Sequence, residues 1–328
     1  MGDFQALVEL CKGHHVYIQT HNFPDPDAIA SAYGLQKLLE HYGISSGLCY
    51  DGRIDKLSAS KLLDVFRIQM VSYEELLPGL CEEDYIICVD TQKHGGNVTD
   101  FVGDEVACID HHPTFVAMEY RYQNIRITGA CATLVAEYYA DLKVEPGKDV
   151  ATALLYGLKM DTLQFTRGVT EADIAMFAFL FPRCDQEILL DLERNNMEFA
   201  DLKAYGAAID SIEIYDRIGF SCIPFSCPDA MIGILSDFIL SLVEVETAVV
   251  FSFREDGIKL SVRSEDENIH AGNLIHRALL GIGNGGGHAD MAGGLIRKEQ
   301  EEQLGRYPKD AVRNLFLKVL EEEKNEKA

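Results

Sequence analysis

Residues 16–30 read VYIQTHNFPDPDAIA and contain the change of pattern that decides the fold. The apolar run at 16–20 predicts a short buried strand, and a polar break at 21–27 ends it. From residue 28 the apolar side chains recur at helical spacing as far as Gly43, which predicts a helix that stops at this glycine. A buried strand followed directly by a helix is typical of a sheet with helices on its faces.

The same alternation continues along the first part of the chain. Apolar runs at 85–89 and 106–109 predict two more buried strands, and residues 130–184 contain three amphipathic helical segments. From residue 218 the pattern becomes strand-like, with a hairpin turning at Glu255-Asp256-Gly257 and a Gly-rich loop after a later helix. We therefore predict an α/β fold, with a mostly parallel sheet covered by helices on both faces, followed by a smaller α+β domain.

The length of 328 residues favours two domains, since a single core seldom grows beyond about 250–300 residues. The composition changes from residue 218, after a segment at 185–212 that is rich in Leu, Glu and Asn and predicts one or two connecting helices. We expect a metal-binding domain at 1–190, a helical linker at 191–213 and a substrate-binding domain at 214–328.

The charge and cysteine content exclude several classes of protein. With 29 Lys+Arg against 53 Asp+Glu, the net charge of −24 repels nucleic acid at long range, which argues against a non-specific duplex binder. No charge-free apolar stretch approaches the roughly 18 residues of a transmembrane helix. The nine cysteines form an odd set without a C-x-x-C pair, as is usual for reduced cytosolic thiols. We expect a cytoplasmic protein.

Each of the three predicted strands is followed by residues that can bind metal ions or move protons. Because ligands of open α/β sheets bind outside the carboxyl ends of the strands, we expect these side chains to converge. They are His21, Asp25 and Asp27 after the first strand, Asp90 after the second, and Asp110, His111 and His112 after the third. Asp161 ends a predicted helix without contributing to its apolar face. Taken singly, most have an ordinary interpretation; Asp27, for example, could cap the helix that begins at Ala28.

The pooled set has a chemistry of its own. Carboxylate oxygens and imidazoles, without thiolates, suit Mn²⁺ or Mg²⁺ better than structural zinc. Carboxylates packed this closely repel one another unless cations lie between them, which favours a centre with two metals. Two adjacent metal ions are a recurrent solution for hydrolysing phosphate esters.

The motifs HNFPDPDAIASA, VDT, DHHP, MDT and a late GGGH resemble the series found in the DHH phosphoesterase superfamily. The similarity extends to the subfamily with a DHHA-type C-terminal domain, which includes nanoRNases, pAp phosphatases, dinucleotide phosphodiesterases and RecJ-like phosphoesterases. It implies two divalent metal ions, Mn²⁺ first and Mg²⁺ as the alternative. It further implies attack on phosphorus by a hydroxide that bridges the metals.

The resemblance also implies a role for each motif residue. His21, Asp25 and Asp90 would hold one metal, and Asp27, Asp90, His111 and Asp161 the other, with Asp90 bridging. Asp110 would orient the neighbouring imidazole, and His112 would act on the substrate phosphate and the leaving group. The GGGH residues Gly285, Gly286, Gly287 and His288, together with Arg263, would bind the nucleotide end of the substrate. Asn284 and Met291 depart from the family pattern, which leaves the exact substrate open.

We therefore expect a phosphoesterase that acts on very short oligoribonucleotides, linear dinucleotides or pAp. A cyclic dinucleotide phosphodiesterase and an inorganic pyrophosphatase or exopolyphosphatase are the alternative enzymes, and a nucleotide or metal sensor is the non-enzyme alternative. The expected partner is short RNA or a small nucleotide, with no long duplex nucleic acid and no membrane. A homodimer is left open.

Overall fold

The computed structural model describes residues 4–54, 56–194 and 197–327, with the backbone alone from 323 onward. Its contacts divide the chain into two compact units, Met1–Asn196 and Met197–Ala328. Within the described ranges, no helix is both long and apolar enough to cross a bilayer.

The first unit is built on a six-stranded parallel sheet, as the alternating sequence pattern predicts. Its strands are β1 Val16–Gln19, β2 Ser46–Tyr50, β3 Met70–Ser72, β4 Tyr85–Val89, β5 Asp104–Asp110 and β6 Tyr122–Ile125. They lie in the order β3-β2-β1-β4-β5-β6. The chain therefore builds outward from β1 in one direction and from β4 in the other, so that the order reverses between these two strands.

Helices lie on both faces of this sheet, but unevenly: seven of the eight contribute to the larger core on one face, and the short fourth helix lies on the other. They are α1 Phe4–Cys11, α2 Pro26–His41, α3 Leu57–Phe66, α4 Tyr73–Leu76, α5 Cys131–Leu142, α6 Lys148–Asp161, α7 Glu171–Leu180 and α8 Gln186–Glu193, with a 3₁₀ turn at Leu77–Gly79. The larger core packs Val16 and Ile18 of β1 against α1, α2, α5 and α6. Tyr17, between them, packs on the opposite face with Tyr73 and Leu76 of α4, because successive strand residues point to opposite faces.

The start of α2 differs from the expectation in one respect. The helix begins at Pro26, and its N-cap is Asp25, whose Oδ1 accepts hydrogen bonds from the amides of Asp27 (3.0 Å) and Ala28 (3.2 Å). The ring of Pro26 suits the first helical position, where no amide hydrogen is needed. Asp27 therefore does not cap its own helix, and its carboxylate is available for other contacts.

The second unit has a mixed sheet of six strands in the order β11-β12-β10-β9-β8-β7, in which only the β8–β9 pair is parallel among the residues described. The strands are β7 Glu213–Tyr215, β8 Ile218–Ile223, β9 Thr247–Arg254, β10 Gly257–Ser264, β11 Asn284–Gly287 and β12 Met291–Arg297. The helices are α9 Asp201–Ser211, α10 Asp229–Leu240, α11 Ala271–Ala278, α12 Lys298–Glu301 and α13 Pro308–Lys327, with a 3₁₀ turn at Glu302–Leu304. One face packs against α11 and α13 and the other against α9 and α10. This is the α+β pattern that the sequence predicts.

The Gly-rich stretch was expected as a loop, and this expectation was wrong. Asn284–Gly287 forms the edge strand β11, which pairs antiparallel with β12. Glycine is required within the strand for packing, since a Cβ on Gly287 would lie 2.4 Å from the carbonyl oxygen of Met291, and one on Gly285 would lie 2.9 Å from Cγ1 of Ile275 in α11. Strand formation at Asn284–Gly287 thus follows from a neighbouring strand and helix rather than from the propensity of glycine.

Candidate metal centre

The motif residues of the first unit lie at the carboxyl ends of neighbouring strands. His21 follows β1 by two residues, Asp90 follows β4 directly, and His111 and His112 follow β5. β1 and β4 are the pair at which the strand order reverses. In open α/β sheets, loops leave such a switch point in opposite directions and open a crevice for a ligand.

Three groups of side chains at this edge have ligand atoms within 4.8 Å of one another. These groups are His21 with Asp25 and Asp90, Asp27 with His111 and Asp161, and Asp90 with His111 and His112. All six residues expected to bind metal are thus brought together, and so is His112. Asp90 belongs to two of the groups, which is the arrangement that a bridging ligand needs.

The individual distances show how close these atoms are. His21 Nε2 lies 3.9 Å from Asp25 Oδ1 and 3.6 Å from Asp90 Oδ2. His111 Nε2 lies 3.2 Å from Asp90 Oδ1 and 3.4 Å from Asp161 Oδ2. Each imidazole nitrogen therefore faces two carboxylates, as in a site where all three would share one ion.

Asp90 provides a test of whether this site suits a metal. The backbone of Asp90 has φ of 59°, which residues other than glycine rarely adopt. The residue is also buried. Its Oδ1 receives no hydrogen bond of acceptable geometry from any described residue, although His111 Nε2 is nearby. A buried carboxylate oxygen without a donor is costly unless a cation contacts it, so the site fits a metal ion.

Backbone carbonyls fix the imidazole rings of His21 and His111. His21 Nδ1 lies 2.8 Å from the carbonyl oxygen of Asn22, and His111 Nδ1 lies 3.0 Å from that of Thr128. Because a carbonyl can only accept, both Nδ1 atoms must donate, which leaves the Nε2 lone pair toward the carboxylates in each neutral ring. Thr128 was not foreseen from the sequence, although it too follows a strand, β6.

Asp110 connects the two adjacent histidines without facing the cluster itself. Its Oδ1 lies 2.8 Å from His112 Nδ1 and accepts a hydrogen bond from the His111 amide at 2.9 Å. Gln92 Nε2 donates to Asp110 Oδ2 (2.7 Å) and to the carbonyl oxygen of His112 (3.1 Å). Gln92 was missed in the sequence, where its position two residues after Asp90 was the available signal. This network fixes the ring of His112, which is partly exposed.

Asp27 joins two helices at the base of the site. Its Oδ2 accepts from the amide of Cys131 at 2.7 Å, and its Oδ1 accepts from the amide of Ala132 at 2.9 Å. These are the first amides of α5, which have no partner within their own helix. Asp27 of α2 therefore caps α5, while it also belongs to a group of possible metal ligands.

The crowding of the carboxylates shifts the pKa values of the side chains in the cluster. Burial, together with the charges of Asp25 and Asp90, raises the pKa of Asp161 to about 6. The pKa of Asp27 is raised well above its usual value by burial and by the charges of Asp90 and Asp161. Burial lowers the pKa of His21, but the hydrogen bond and charge of Asp25 outweigh it and raise this pKa to about 9. Carboxylates packed this closely are stabilised by bound protons or by cations, which agrees with the fit of the site to metal ions.

Two cationic side chains contact the outer carboxylates, and neither was predicted. Lys56 Nζ lies 3.7 Å from Asp25 Oδ2. Arg167 Nη2 lies 3.9 Å from Asp161 Oδ1 and donates to the Asp161 carbonyl oxygen at 3.0 Å. No strand end or motif marks them in the sequence. α2 and β2 lie between Asp25 and Lys56, and a turn lies between Asp161 and Arg167.

The expected substrate-binding residues lie in the second unit. Gly285, Gly286 and Gly287 form β11, and His288 follows in the short connection to β12. Arg263 of β10 pairs in register with Met291 of β12, so both side chains point to the same face. Arg263 Nε donates to Asp237 Oδ1 at 2.9 Å, so its charge is already paired.

Comparison with known proteins agrees with both units. The sequence model for the DHH family, N-terminal domain, matches residues 15–158, and that for the DHHA1 domain matches residues 216–314. An exopolyphosphatase-related protein from Bacteroides fragilis has a similar structure, with a TM-score of 0.71 and 18% identity over 95% of this chain and 96% of that one. At this identity the likeness shows the fold alone.

Several curated proteins are similar in sequence. An uncharacterised protein of Methanocaldococcus jannaschii is 28% identical over 94% of this chain and 65% of its own length. A cyclic-di-AMP phosphodiesterase of Geobacillus thermodenitrificans is 25% identical over 95% of this chain and 49% of its own length. A probable manganese-dependent inorganic pyrophosphatase of Bacillus cereus is 25% identical over 75% of this chain and 80% of its own length.

The chain thus spans 65% of the length of the first relative and 49% of the length of the second. The two matched domains follow one another in the order that the motifs predict. The chain belongs to the DHH phosphoesterase superfamily, with a DHH domain followed by a DHHA1 domain.

Proposed function

We propose that this chain is a two-metal phosphoesterase that hydrolyses short nucleotide substrates, namely very short oligoribonucleotides, linear dinucleotides or pAp. The observation that carries the proposal is the convergence of three overlapping ligand groups, two of which share Asp90, at the switch point of the parallel sheet. A phosphoesterase needs such a concentration of oxygen and imidazole ligands, whereas a structural site needs only one group.

In this proposal His21, Asp25 and Asp90 hold one divalent ion, and Asp27, Asp90, His111 and Asp161 hold the other. Manganese is the first choice and magnesium the second, and the lack of thiolates in the donor set disfavours structural zinc. When bound, the ions supply the acidity that activates water and the positive charge that a phosphate group requires. The name of the pyrophosphatase relative, which states manganese dependence, supports the choice.

His112 is proposed as the acid that assists the leaving group. Its Nδ1 faces Asp110 Oδ1, so its Nε2 points away from that carboxylate. Burial lowers the pKa of His112, but the hydrogen bond to Asp110 outweighs it and raises this pKa, which favours the protonated ring. A protonated imidazole can donate to the oxygen that departs from phosphorus.

The second unit is proposed to bind the nucleotide end of the substrate. β11 presents backbone rather than side chains at Gly285, Gly286 and Gly287, which allows an anion to approach its amides closely. His288 would add a hydrogen-bond donor. Arg263 would take part only if a phosphate replaced or joined Asp237 as its partner. The division at 1–190, 191–213 and 214–328 remains part of this proposal.

The proposal is tested by hydrolysis of four substrates with added Mn²⁺: a two-nucleotide RNA, pAp, a cyclic dinucleotide and pyrophosphate. We expect turnover of the RNA dinucleotide or of pAp. His112→Ala should lower kcat by at least about 100-fold while retaining Mn²⁺ binding in calorimetry. The matched control is His15→Ala, an exposed histidine at the amino end of β1, on the opposite edge of the sheet.

Other outcomes point to the alternatives. Turnover of the cyclic dinucleotide alone would move the chain to the activity that the Geobacillus relative's name states. Pyrophosphate as the sole substrate would favour a pyrophosphatase. Metal binding without turnover of any of the four would contradict an enzymatic role and favour a nucleotide or metal sensor.

A further inference from the structure

A solvent-exposed aromatic side chain lies beside the proposed metal centre. Phe23 is two residues from His21 and two from Asp25, yet 53% of its surface is exposed. Its backbone has φ of 58°, a left-handed conformation that is uncommon for residues other than glycine, asparagine and aspartate. A large apolar residue held exposed in an unfavourable conformation at a ligand site is a reason to look for function.

The loop around Phe23 is held by its neighbours rather than left free. The amide of Asn22 donates to the carbonyl oxygen of Asn97 at 2.7 Å, and the amide of Phe23 donates to that of Asp51 at 3.2 Å. The side chain of Asn22 exchanges two hydrogen bonds with Thr99, whose hydroxyl donates to Asp51 Oδ2 at 2.5 Å. This network links the loop to the carboxyl end of β2 and fixes the path of its backbone.

The ring of Phe23 rests on a glycine. A Cβ at Gly52 would lie 3.0 Å from Cε1 of the ring and 3.1 Å from Cδ1 and Cζ. One side of the ring is therefore supported by backbone at Gly52, and the exposed surface is available to a flat partner. Nucleobases stack on aromatic rings presented in this way, and the stacking tolerates any base.

Lys56 provides a cation near the same loop. Its side chain is 44% exposed, and its ammonium lies 3.7 Å from Asp25 Oδ2. A divalent ion bound to Asp25 would neutralise its charge and weaken the attraction between this carboxylate and Lys56. The ammonium could then bind a phosphate oxygen instead. Local cations matter for such a substrate, because the net charge of −24 repels anions at long range.

We propose that Phe23 and Lys56 form a subsite for a nucleoside monophosphate unit, in which the base stacks on the ring and the phosphate contacts the ammonium. The inference rests on the proposed function, and names which part of a short nucleotide the first unit recognises. In this subsite Phe23 stacks on a base of any identity, and Lys56 contacts the charged phosphate.

The chain contains no tryptophan, which allows a direct test. Phe23→Trp places a single tryptophan on the loop, and its emission is followed with the full chain loaded with Mg²⁺, which does not quench by itself. We expect AMP to quench the emission saturably, since a stacked base contacts the indole. Ribose 5-phosphate, which has the phosphate but no base, should leave the emission unchanged.

Matched variants separate the two halves of the subsite. Phe181→Trp, at another partly exposed phenylalanine of the first unit, should not respond to AMP. In the Phe23→Trp background, Lys56→Gln should raise the Kd for AMP by about tenfold, whereas Lys37→Gln, at a lysine paired with Glu40, should not. Equal quenching by ribose 5-phosphate, or none by AMP, would overturn the base-stacking assignment, and an unchanged Kd in Lys56→Gln would overturn that of the lysine.

The result can be told apart from failure of the proposed function. If the wild type hydrolyses a dinucleotide but AMP does not quench Phe23→Trp, the subsite is wrong and the function stands. If AMP quenches but no nucleotide is hydrolysed, the subsite stands and the function is wrong. If both the subsite and the proposed function are correct, Phe23→Leu should raise KM for the dinucleotide by about tenfold and change kcat little.

Discussion

Replacement of Asp173 tests how the core of the first unit supports the metal centre. This buried carboxylate accepts four hydrogen bonds: from the amides of Gly129 (2.8 Å) and Thr170 (2.7 Å), and from the hydroxyls of Thr133 (2.6 Å) and Thr170 (2.7 Å). Gly129 follows Thr128, whose carbonyl orients His111. Asp173 thus links the start of α7 to the peptide that holds a proposed ligand.

The loss of unfolding free energy depends on whether each donor can find another acceptor once the carboxylate is removed. In Asp173→Ala both hydroxyls can rotate toward other acceptors, but the amides of Gly129 and Thr170 lose their acceptor inside the protein. Each buried unsatisfied donor costs about 1–3 kcal/mol, so we expect a loss of about 3–4 kcal/mol of unfolding free energy. Asp173→Asn should cost only about 1 kcal/mol, since its oxygen can replace Oδ2, which takes three of the four bonds, and its amide can donate to Thr133.

Urea unfolding followed by circular dichroism measures both variants. The control is Asp191→Ala, an exposed aspartate on α8, which we expect to stay within about 0.5 kcal/mol of the wild type. Calorimetry should also show weaker Mn²⁺ binding in Asp173→Ala. A loss below 1 kcal/mol for the alanine variant, or an equal loss for the asparagine variant, would refute the reasoning about unsatisfied amides.

Three further predictions concern the metal centre and the thiols. Asp161→Ala should weaken Mn²⁺ binding at least about tenfold in calorimetry, and unchanged metal content would remove Asp161 from the ligand set. Mn²⁺ at about 100 times its Kd should stabilise the chain by about 2.7 kcal/mol, so EDTA should lower the melting temperature; an unchanged melting temperature would argue against a preformed site. Ellman's reagent should react quickly with Cys81 alone, because the other eight thiols are buried, and burial raises the pKa of Cys11 and Cys222 to about 11. A fast reaction that persists in Cys81→Ser would contradict this burial.

The strands that carry the site could be predicted because their sequences are continuous apolar runs. The runs at 16–20, 85–89 and 106–109 correspond to β1, β4 and the end of β5, and the side chains that follow them converge as expected. β2, with the sequence SGLCY, gives no such signal. It forms because it pairs in parallel with β1, and local propensity does not determine pairing between distant segments.

The contacts of the site could be predicted less well than its members. Nothing near Asp27 in the sequence indicates that its carboxylate caps a helix beginning at Cys131. Lys56 and Arg167 lie near the proposed ligands Asp25 and Asp161. Lys56 is separated from Asp25 by α2 and β2, so its approach depends on how these elements pack. Likewise β11 is a strand because β12 and α11 surround it, although glycine is unfavourable in strands.

The bond between Asp27 and the start of α5 has a consequence for the order in which the chain folds. Its two partners are 104 residues apart, so α5 lacks its cap until α2 has docked. The group His21, Asp25 and Asp90 is complete in a nascent chain once residue 90 has emerged, whereas the group with Asp161 requires most of the first unit. During synthesis the two proposed metal sites would thus become available in sequence, the first before the helices that complete the second exist.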